Sequence, residues 1–369
     1  MRVGRMRRLS ALLLAGVMVV GCGAQAPSDQ PAVEVLVRSY DAGSGVWPTT
    51  GWWNSANALN ALTNYMIISG DHRYGWVVEN TFTKKRNAAR GDFTNDFIDD
   101  TGWWALAWIS AYDLTGDTRY LQTAQRDVDF MWRYHDDVCG GGLWWTVDRD
   151  YKHAITNELF VQAAAQLAQR LGDRGSIYFE RAVSVWNWFE ASGMINNELL
   201  VNDGLHTATC RNNGDTAWTY NQGVLLGGLV ALASAAQDDS YLQRARELAD
   251  ASTTSGTLNV DGVLTEPCEP SGCDVDAPSY KGIYVRNLGE LNRILDDHPY
   301  SDYLLYQAMT AYHHNRTEDH EYGLHWAGPI KDVSGATQQS AVDLFAATPS
   351  ITGTPGDIAH ENDIPTDAK

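Results

Sequence analysis

Gly70-Asp71-His72-Arg73-Tyr74 returns further along the chain as Gly116-Asp117-Thr118-Arg119-Tyr120. Weaker copies are Gly172-Asp173 with Tyr178, and Asp238-Asp239-Ser240-Tyr241. Each copy separates two stretches of helical apolar spacing. Glycine suits the left-handed residue that ends a helix, and Asp or Ser suits the N-cap of the next. The tyrosine that follows is expected to pack inward. The mark recurs after 46 residues (Gly70 to Gly116) and then after 56 (to Gly172), so the unit is a helix pair with variable loops, not a strict solenoid.

Outward from these marks, the periodicity predicts about twelve helices and almost no strand alternation. They cover 31–42, 52–69, 73–86, 101–115, 119–135, 154–171, 176–192, 217–236, 240–253, 280–296, 301–315 and 337–347. The expected fold class is all-α. Six pairs of this size predict an (α/α)6 toroid, six helical hairpins with inner and outer helix rings. The connections after even-numbered helices are short, and those before them are long. The even helices are therefore expected to be the inner ones, with their N-termini on one face.

Unusual residues open those helices. Gly51-Trp52-Trp53-Asn54 opens the second, and Asp99-Asp100-Thr101-Gly102-Trp103-Trp104 the fourth. Gly140-Gly141-Gly142-Leu143-Trp144-Trp145, Tyr151-Lys152-His153 and Asn157-Glu158 surround the start of the sixth. Trp218-Thr219-Tyr220-Asn221-Gln222-Gly223 opens the eighth, and Tyr280-Lys281-Gly282 with Arg286 the tenth. On parallel inner helices these groups converge on one cleft, the default place for a site.

Asp99-Asp100 carries the chemistry. Read alone, such a dipeptide is more often a helix cap than a catalytic pair. Three other pairs serve as controls. Asp136-Asp137 and Asp296-Asp297 follow helices, and Asp238-Asp239 sits in a polar turn. Only Asp99-Asp100 opens a helix among aromatic residues. Glycosidic cleavage uses two carboxyl groups, one to protonate the leaving oxygen and one as nucleophile or base. Adjacent residues at a helix start diverge by roughly 100° about the axis, which suits a retaining pair about 5–5.5 Å apart. Repulsion from Asp99 and burial beside Trp103 or Trp104 are expected to keep Asp100 protonated, while the helix N-terminus favours ionised Asp99.

Candidate substrate-binding residues are Trp53, Asn54, Trp103, Trp145, Asn157, Asp203, Tyr220, Asn221, Gln222 and Lys281. The tryptophans offer flat faces for sugar rings, or large core side chains. The amides can bind hydroxyls, or satisfy backbone groups instead. Asp203 touches substrate or makes a turn with Gly204. Lys281 and Arg286 bind sugar or hold carboxylates in place. His313, His314, His320 and His325 lack the helical spacing and carboxylate partner of a metal site, so no metal and no cofactor is expected.

The ends and the composition bound the setting. Residues 1–21 read as an export signal, with Arg2, Arg5, Arg7 and Arg8 ahead of the apolar run Leu12–Val20, which is too short to span a bilayer. Val19-Val20-Gly21-Cys22 resembles a bacterial lipobox, which implies cleavage before Cys22 and a lipid on its thiol; an ordinary cleaved signal with full secretion is the alternative. Residues 22–30 form a short linker, 31–347 one catalytic domain, and 348–369 a polar, disordered tail. Cys139, Cys210, Cys268 and Cys273 remain for two disulfides in an oxidising compartment. Cys268 and Cys273 can staple a local loop, which leaves Cys139–Cys210 as a long-range bridge; three pairings are open from sequence. The formal charge of −19 becomes −23 once four signal arginines leave. That opposes nucleic acid and anionic membrane surfaces as ligands, and leaves contact with a membrane to the lipid anchor.

On Gly51–Asn60, Asp96–Trp104, Gly140–Trp145, Asn157-Glu158-Leu159-Phe160, Asn202-Asp203-Gly204, Trp218–Gly223 and Tyr280–Arg286, the chain resembles glycoside hydrolase family 76, the endo-α-1,6-mannanases and their relatives. The resemblance implies the (α/α)6 toroid and retaining hydrolysis of internal α-1,6 linkages of mannan or manno-oligosaccharides. It also implies Asp99 as nucleophile and Asp100 as general acid/base, an assignment of roles that physics alone does not give. Competing readings are a transglycosylase with the same site, a non-catalytic glycan-binding lipoprotein, and a toroid acting on uronic acids. A bacterial-type signal opposes the first, the intact aspartate pair the second, and an acidic cleft the third.

Overall fold

The computed structural model describes residue 28 and residues 30–348. The export signal, Cys22 and most of the polar tail lie outside these residues. The described chain holds twelve helices: α1 (Gln30–Arg38), α2 (Trp52–Ser69), α3 (Gly75–Lys85), α4 (Ile98–Thr115), α5 (Thr118–Trp132), α6 (Ala154–Arg170), α7 (Ser176–Ala191), α8 (Thr219–Ala236), α9 (Ser240–Thr254), α10 (Tyr280–Ile294), α11 (Ser301–His314) and α12 (Gly335–Ala347). Two small antiparallel sheets sit in the loops. One is β1 (Lys152–His153), β2 (Gly204–His206) and β3 (Arg211–Asn212); the other is β4 (Asn259–Val260) with β5 (Val263–Leu264). Among the described residues no helix is long and apolar enough to cross a membrane.

The even helices close a ring. α2 packs on α4, α4 on α6, α6 on α8, α8 on α10, α10 on α12, and α12 back on α2. Their sequences require it. Every residue of α8 from Thr219 to Ala233 is buried, and α2, α4, α6, α10 and α12 are buried on nearly all sides. A helix with no face for water must be surrounded by others. The outer helices are one-sided instead: α5 buries Tyr120, Leu121, Ala124, Val128 and Met131, an i, i+3/i+4 stripe. The fold is the all-α toroid with an inner and an outer ring.

The repeated punctuation does what its residues dictate. Gly70 and Gly116 end α2 and α4 with φ of 70° and 71°, the left-handed conformation that costs glycine nothing. Asp71 Oδ1 accepts from the Arg73 N–H at 3.2 Å, and Asp117 Oδ1 from the Arg119 N–H at 2.9 Å. Tyr74, Tyr120 and Tyr178 are buried. Several ends differ from the sequence reading. α1 stops at Arg38 because Asp41 folds a turn, accepting from the N–H groups of Gly43 and Ser44. α4 starts at Ile98 rather than at residue 101, so both aspartates lie inside its first turn.

The long loops, at 133–153, 192–218, 255–279 and 315–334, are fastened to each other above the ring. The structure joins Cys139 to Cys210, and Cys268 to Cys273. Lys152 is fully buried, and its ammonium donates to Asp136 Oδ1 at 2.9 Å and to the carbonyls of Val138 and Gly141 at 2.7 and 2.5 Å. Lys281 is likewise buried. It bonds Glu269 at 2.7 Å and the Leu324 carbonyl at 2.6 Å, tying the loop before α10 to the loop before α12. Removing the partner of a buried charge leaves it uncompensated, which makes these bonds structurally costly to break.

The ring is tight where α8 meets α10. A Cβ on Gly223 would lie 2.5 Å from the Tyr284 Cα, against backbone that has nowhere to move. Gly75, at the start of α3, faces open space. Gly223→Ala is therefore expected to destabilise the fold by about 1–3 kcal/mol. Gly75→Ala is expected to be neutral or to stabilise by up to about 1 kcal/mol. Urea unfolding midpoints of the two variants check this opposition of sign.

Candidate active site

The N-terminal ends of the inner helices and the loop ahead of α6 enclose a cleft of about 250 Å³, lined by Trp53, Phe97, Asp99, Asp100, Trp103, Trp145, His153, Tyr220, Asp276 and Tyr280. Its walls are largely aromatic. Trp53, Trp103, Tyr220 and Tyr280 come from α2, α4, α8 and α10, and they form a closed circuit of near-parallel contacts. The centroid distances are 5.4 Å (Trp53–Trp103), 6.3 Å (Trp103–Tyr220), 4.0 Å (Tyr220–Tyr280) and 6.0 Å (Tyr280–Trp53). Trp145 closes the other side, 5.3 Å from Phe97 and 5.6 Å from His153.

Asp99 and Asp100 sit in the first turn of α4, whose N-cap is Phe97 and lacks a side-chain cap. Asn95 organises the approach: its Oδ1 accepts from the Phe97 N–H at 2.9 Å, and its Nδ2 donates to Asp100 Oδ2 at 2.5 Å. Asp99 Oδ2 accepts from the Trp145 indole N–H at 3.1 Å, and Oδ1 from the Asp100 backbone N–H at 3.0 Å. The two carboxyl groups thus have unlike surroundings.

Their proton affinities separate accordingly. Burial raises Asp99, and it is opposed by the His153 imidazole and by the hydrogen bonds from Trp145 and the backbone. Burial raises Asp100 well above the usual range, and the Asp99 charge adds to it; Asp276 pushes the same way, and only Asn95 pulls back. The proton therefore stays longest on Asp100. Asp276 accepts from the Trp53 indole N–H at 2.9 Å, and burial raises its own carboxyl.

His153 is held from behind. Its Nε2 lies 3.0 Å from Asp203 Oδ1, and the Tyr151 hydroxyl donates to Asp203 Oδ2 at 2.8 Å. Burial works to raise Asp203, but the hydrogen bonds from His153 and Tyr151 win and hold it below the usual carboxylate value.

Of the residues singled out in the sequence, Asp99, Asp100, Trp53, Trp103, Trp145 and Tyr220 line the cleft. The others lie off its wall, and all but Asn221 have structural partners. Asn54 is buried, accepting from the Gly51 N–H at 3.1 Å and donating to Ser279 Oγ at 3.0 Å. Asn157 clasps Leu143, accepting from its N–H at 2.7 Å and donating to its carbonyl at 3.2 Å. Gln222 does the same for Val201, at 2.8 and 3.0 Å. Lys281 is spent on Glu269, and Arg286 on Asp343 at 3.1 Å and Asn57 at 2.7 Å. Asn221 is fully buried and its amide atoms lack a partner. Asp203 is paired with His153 and Tyr151 behind the wall. These amides and cations satisfy loop backbone and carboxylates, the alternative that buried polar groups usually take. His320 faces Arg316 and His325 faces Glu269, at 3.2 and 3.1 Å.

Four further residues line the wall that are not among the candidate binding residues: Phe97, His153, Asp276 and Tyr280. Tyr280 and His153 stand in the very stretches that open α10 and α6, so their signal was position. Asp276 had none, because only the closed ring returns it to Trp53.

Comparison with known proteins follows the same lines. The family description "Glycosyl hydrolase family 76" matches residues 34–352. The chain is 27% identical over 272 residues to "Mannan endo-1,6-alpha-mannosidase DFG5" of Candida albicans, covering 66% of this chain and 58% of that protein. It is 26% identical over 333 residues to "Mannan endo-1,6-alpha-mannosidase DCW1" of Saccharomyces cerevisiae, covering 81% and 72%. The chain thus spans less than two thirds of the Candida relative. Among solved structures, the α-1,6-mannanase GH76A of Salegentibacter sp. HEL1_6 superposes with a TM-score of 0.77 at 26% identity, covering 86% of this chain and 97% of that one. That structure is an inactive variant, with two consecutive aspartates replaced by alanine, in complex with α-1,6-mannotetrose. Dfg5 from Chaetomium thermophilum shares the fold, with a TM-score of 0.77 at 20% identity and coverage of 87% and 88%. With a family match over nearly the whole described toroid, this chain belongs to glycosyl hydrolase family 76.

Proposed function

We propose that the chain is a retaining endo-α-1,6-mannanase, with Asp99 as nucleophile and Asp100 as general acid/base. The observation that carries the reading is the aspartate pair itself. Of the four consecutive Asp-Asp pairs in the sequence, only 99–100 lines the aromatic cleft. The Salegentibacter relative is inactive when two consecutive aspartates are replaced, and it holds an α-1,6-linked manno-oligosaccharide. Both facts support the assignment.

The chemistry runs in two steps. Asp99, ionised and steadied by the Trp145 N–H, attacks the anomeric carbon of a mannose seated among the aromatic faces. The bond from that carbon to the departing 6-oxygen breaks, and Asp100 gives this oxygen its proton. A covalent mannosyl ester remains on Asp99. A water then attacks the same carbon, Asp100 takes its proton, and the ester bond to Asp99 breaks. Two displacements return the original configuration. Export, with a lipid on Cys22, belongs to the same reading: two disulfides suit an oxidising compartment.

With linear α-1,6-mannan as substrate, the wild-type chain is expected to release reducing ends. Asp100→Asn should lower kcat by about 10²–10⁴, and Asp99→Asn by at least as much. Asp238→Asn, in an exposed turn where Asp238 caps Ser240, should leave the rate unchanged. No reducing ends from the wild type would sink the substrate assignment, and full activity in Asp100→Asn would sink the acid/base role.

The two limbs of the pH profile of kcat/KM should move separately. Asp100 must be protonated, so activity is lost as pH rises through its pKa. Asp276→Asn removes a charge that raises that pKa, and the alkaline limb should move to lower pH by roughly one unit or less. Asp99 must be ionised, so activity is lost as pH falls through its pKa. Trp145→Phe removes a hydrogen bond that lowers it, and the acid limb should move to higher pH. Movement of the opposite limb in either variant would reverse the assigned roles.

A further inference from the structure

The inner ring has a second cavity at its other end, about 360 Å³ in volume, built from the C-terminal halves of α2, α4, α6 and α10. Along α2, Trp53 in the cleft and Ile67 in this cavity are separated by roughly 21 Å of helix. The two spaces are therefore distinct. No tryptophan or other aromatic ring lines the second one.

Its polar groups are fixed and incompletely used. Gln162 is 5% exposed. Its Nε2 donates to Asn287 Oδ1 at 2.9 Å, and Asn287 Nδ2 in turn donates to the Ile283 carbonyl at 2.8 Å. This chain of bonds fixes the orientation of Gln162 and leaves its Oε1 buried without a partner. The amides lie against bare backbone: a Cβ on Gly227 would come within 2.1 Å of Asn287 Oδ1 and 2.3 Å of Gln162 Nε2. An unpaired buried acceptor is unfavourable, and a donor from a ligand would relieve it.

Charged groups complete the wall. Arg170 and Asp113 are closed on each other through two hydrogen bonds, at 2.7 and 2.5 Å. Glu290 and Arg293, on one turn of α10, also line the cavity. Among the described residues neither has an ion pair within 4.0 Å or a hydrogen bond. Arg286 also lines the cavity and is paired with Asp343. The rest of the polar wall includes the Glu290 carboxyl, the solvent-exposed Arg293 guanidinium, the buried Gln162 Oε1 and the amides of Asn60, Asn64 and Gln166. A carboxylate can accept from two neighbouring hydroxyls, a guanidinium donates to hydroxyl oxygens, and an amide oxygen accepts one more O–H. An anion would meet Glu290, and a cation would meet Arg293.

We propose that this cavity binds a neutral polyhydroxy ligand of about one or two hexose units, at a site separate from the aspartate cleft. The volume lies at the small end of the range for ligand pockets. The proposal stands independently of the mannanase reading, since it uses none of the cleft residues.

The test is titration of the chain with D-mannose, followed in parallel by calorimetry and by intrinsic tryptophan fluorescence. Mannose in the cleft meets Trp53, Trp103 and Trp145, whereas mannose in the second cavity meets no tryptophan. The expected result is a saturable heat with no matching fluorescence change and a dissociation constant on the order of 1 mM. Gln162→Leu and Glu290→Gln should each weaken that event at least 10-fold while mannan cleavage and thermal melting stay as in the wild type. Crystals soaked in mannose should show the sugar against Gln162 and Glu290. The proposal is overturned if every saturable heat is mirrored in fluorescence, if both folded variants bind as the wild type does, or if inorganic phosphate rather than mannose or glycerol fills the cavity. Cleavage of mannan is read separately, so failure here leaves the catalytic assignment intact, and the reverse also holds.

Discussion

Six helices in this chain have no face to give to water, and that constraint sets everything else. Each must be enclosed, and they enclose one another by closing a ring in which α12 returns to α2. The outer helices, apolar on one side only, cover the ring from outside. Because every inner helix runs the same way, every inner N-terminus arrives at one face, together with the long loops that precede it. Close packing holds the arrangement, as where Gly223 lets α8 approach the backbone of α10 at Tyr284. The loops are then stitched by the buried ammonium groups of Lys152 and Lys281 and by two disulfides. A cleft with aromatic walls from four different helices follows from ring closure.

Inside that cleft, one physical effect works on two neighbouring carboxyl groups and gives different results. Loss of water raises both. Asp99 recovers part of its acidity from an imidazole, an indole N–H and a backbone N–H, while Asp100 faces the negative charge of Asp99 and, further off, of Asp276. The asymmetry lies in the surroundings, not in the dipeptide. It also sets this pair apart from the others. Asp136, for instance, accepts from Lys152, Trp144 and Arg149, so its carboxyl is held low and spent on the fold.

Much of this was legible in the residues. The repeated Gly-Asp mark, the alternation of short and long loops and the helical spacing lead to the ring, and most helix ends agree closely. The start of α4 was misjudged because Phe97 offers no capping side chain, while Asn95 performs the organising role from two residues earlier. The aspartates and four of the aromatic wall residues were also legible, since they stand at or just ahead of inner-helix starts, in stretches rich in glycine and aromatic residues. The amides were harder. Asn157 and Gln222 carry the same groups whether they bind a sugar or a loop backbone, and only the fold reveals that Leu143 and Val201 lie opposite them. Asp276 was invisible for the same reason: its partner, Trp53, is 223 residues away.

The central claim is that Asp99 forms a bond to the anomeric carbon before water does. Proton NMR of the reducing end released from α-1,6-mannotetraose, recorded faster than mutarotation, tests it most directly. The α-anomer should appear first and relax towards the equilibrium mixture. First appearance of the β-anomer would mean a single displacement by water, and would contradict the role given to Asp99.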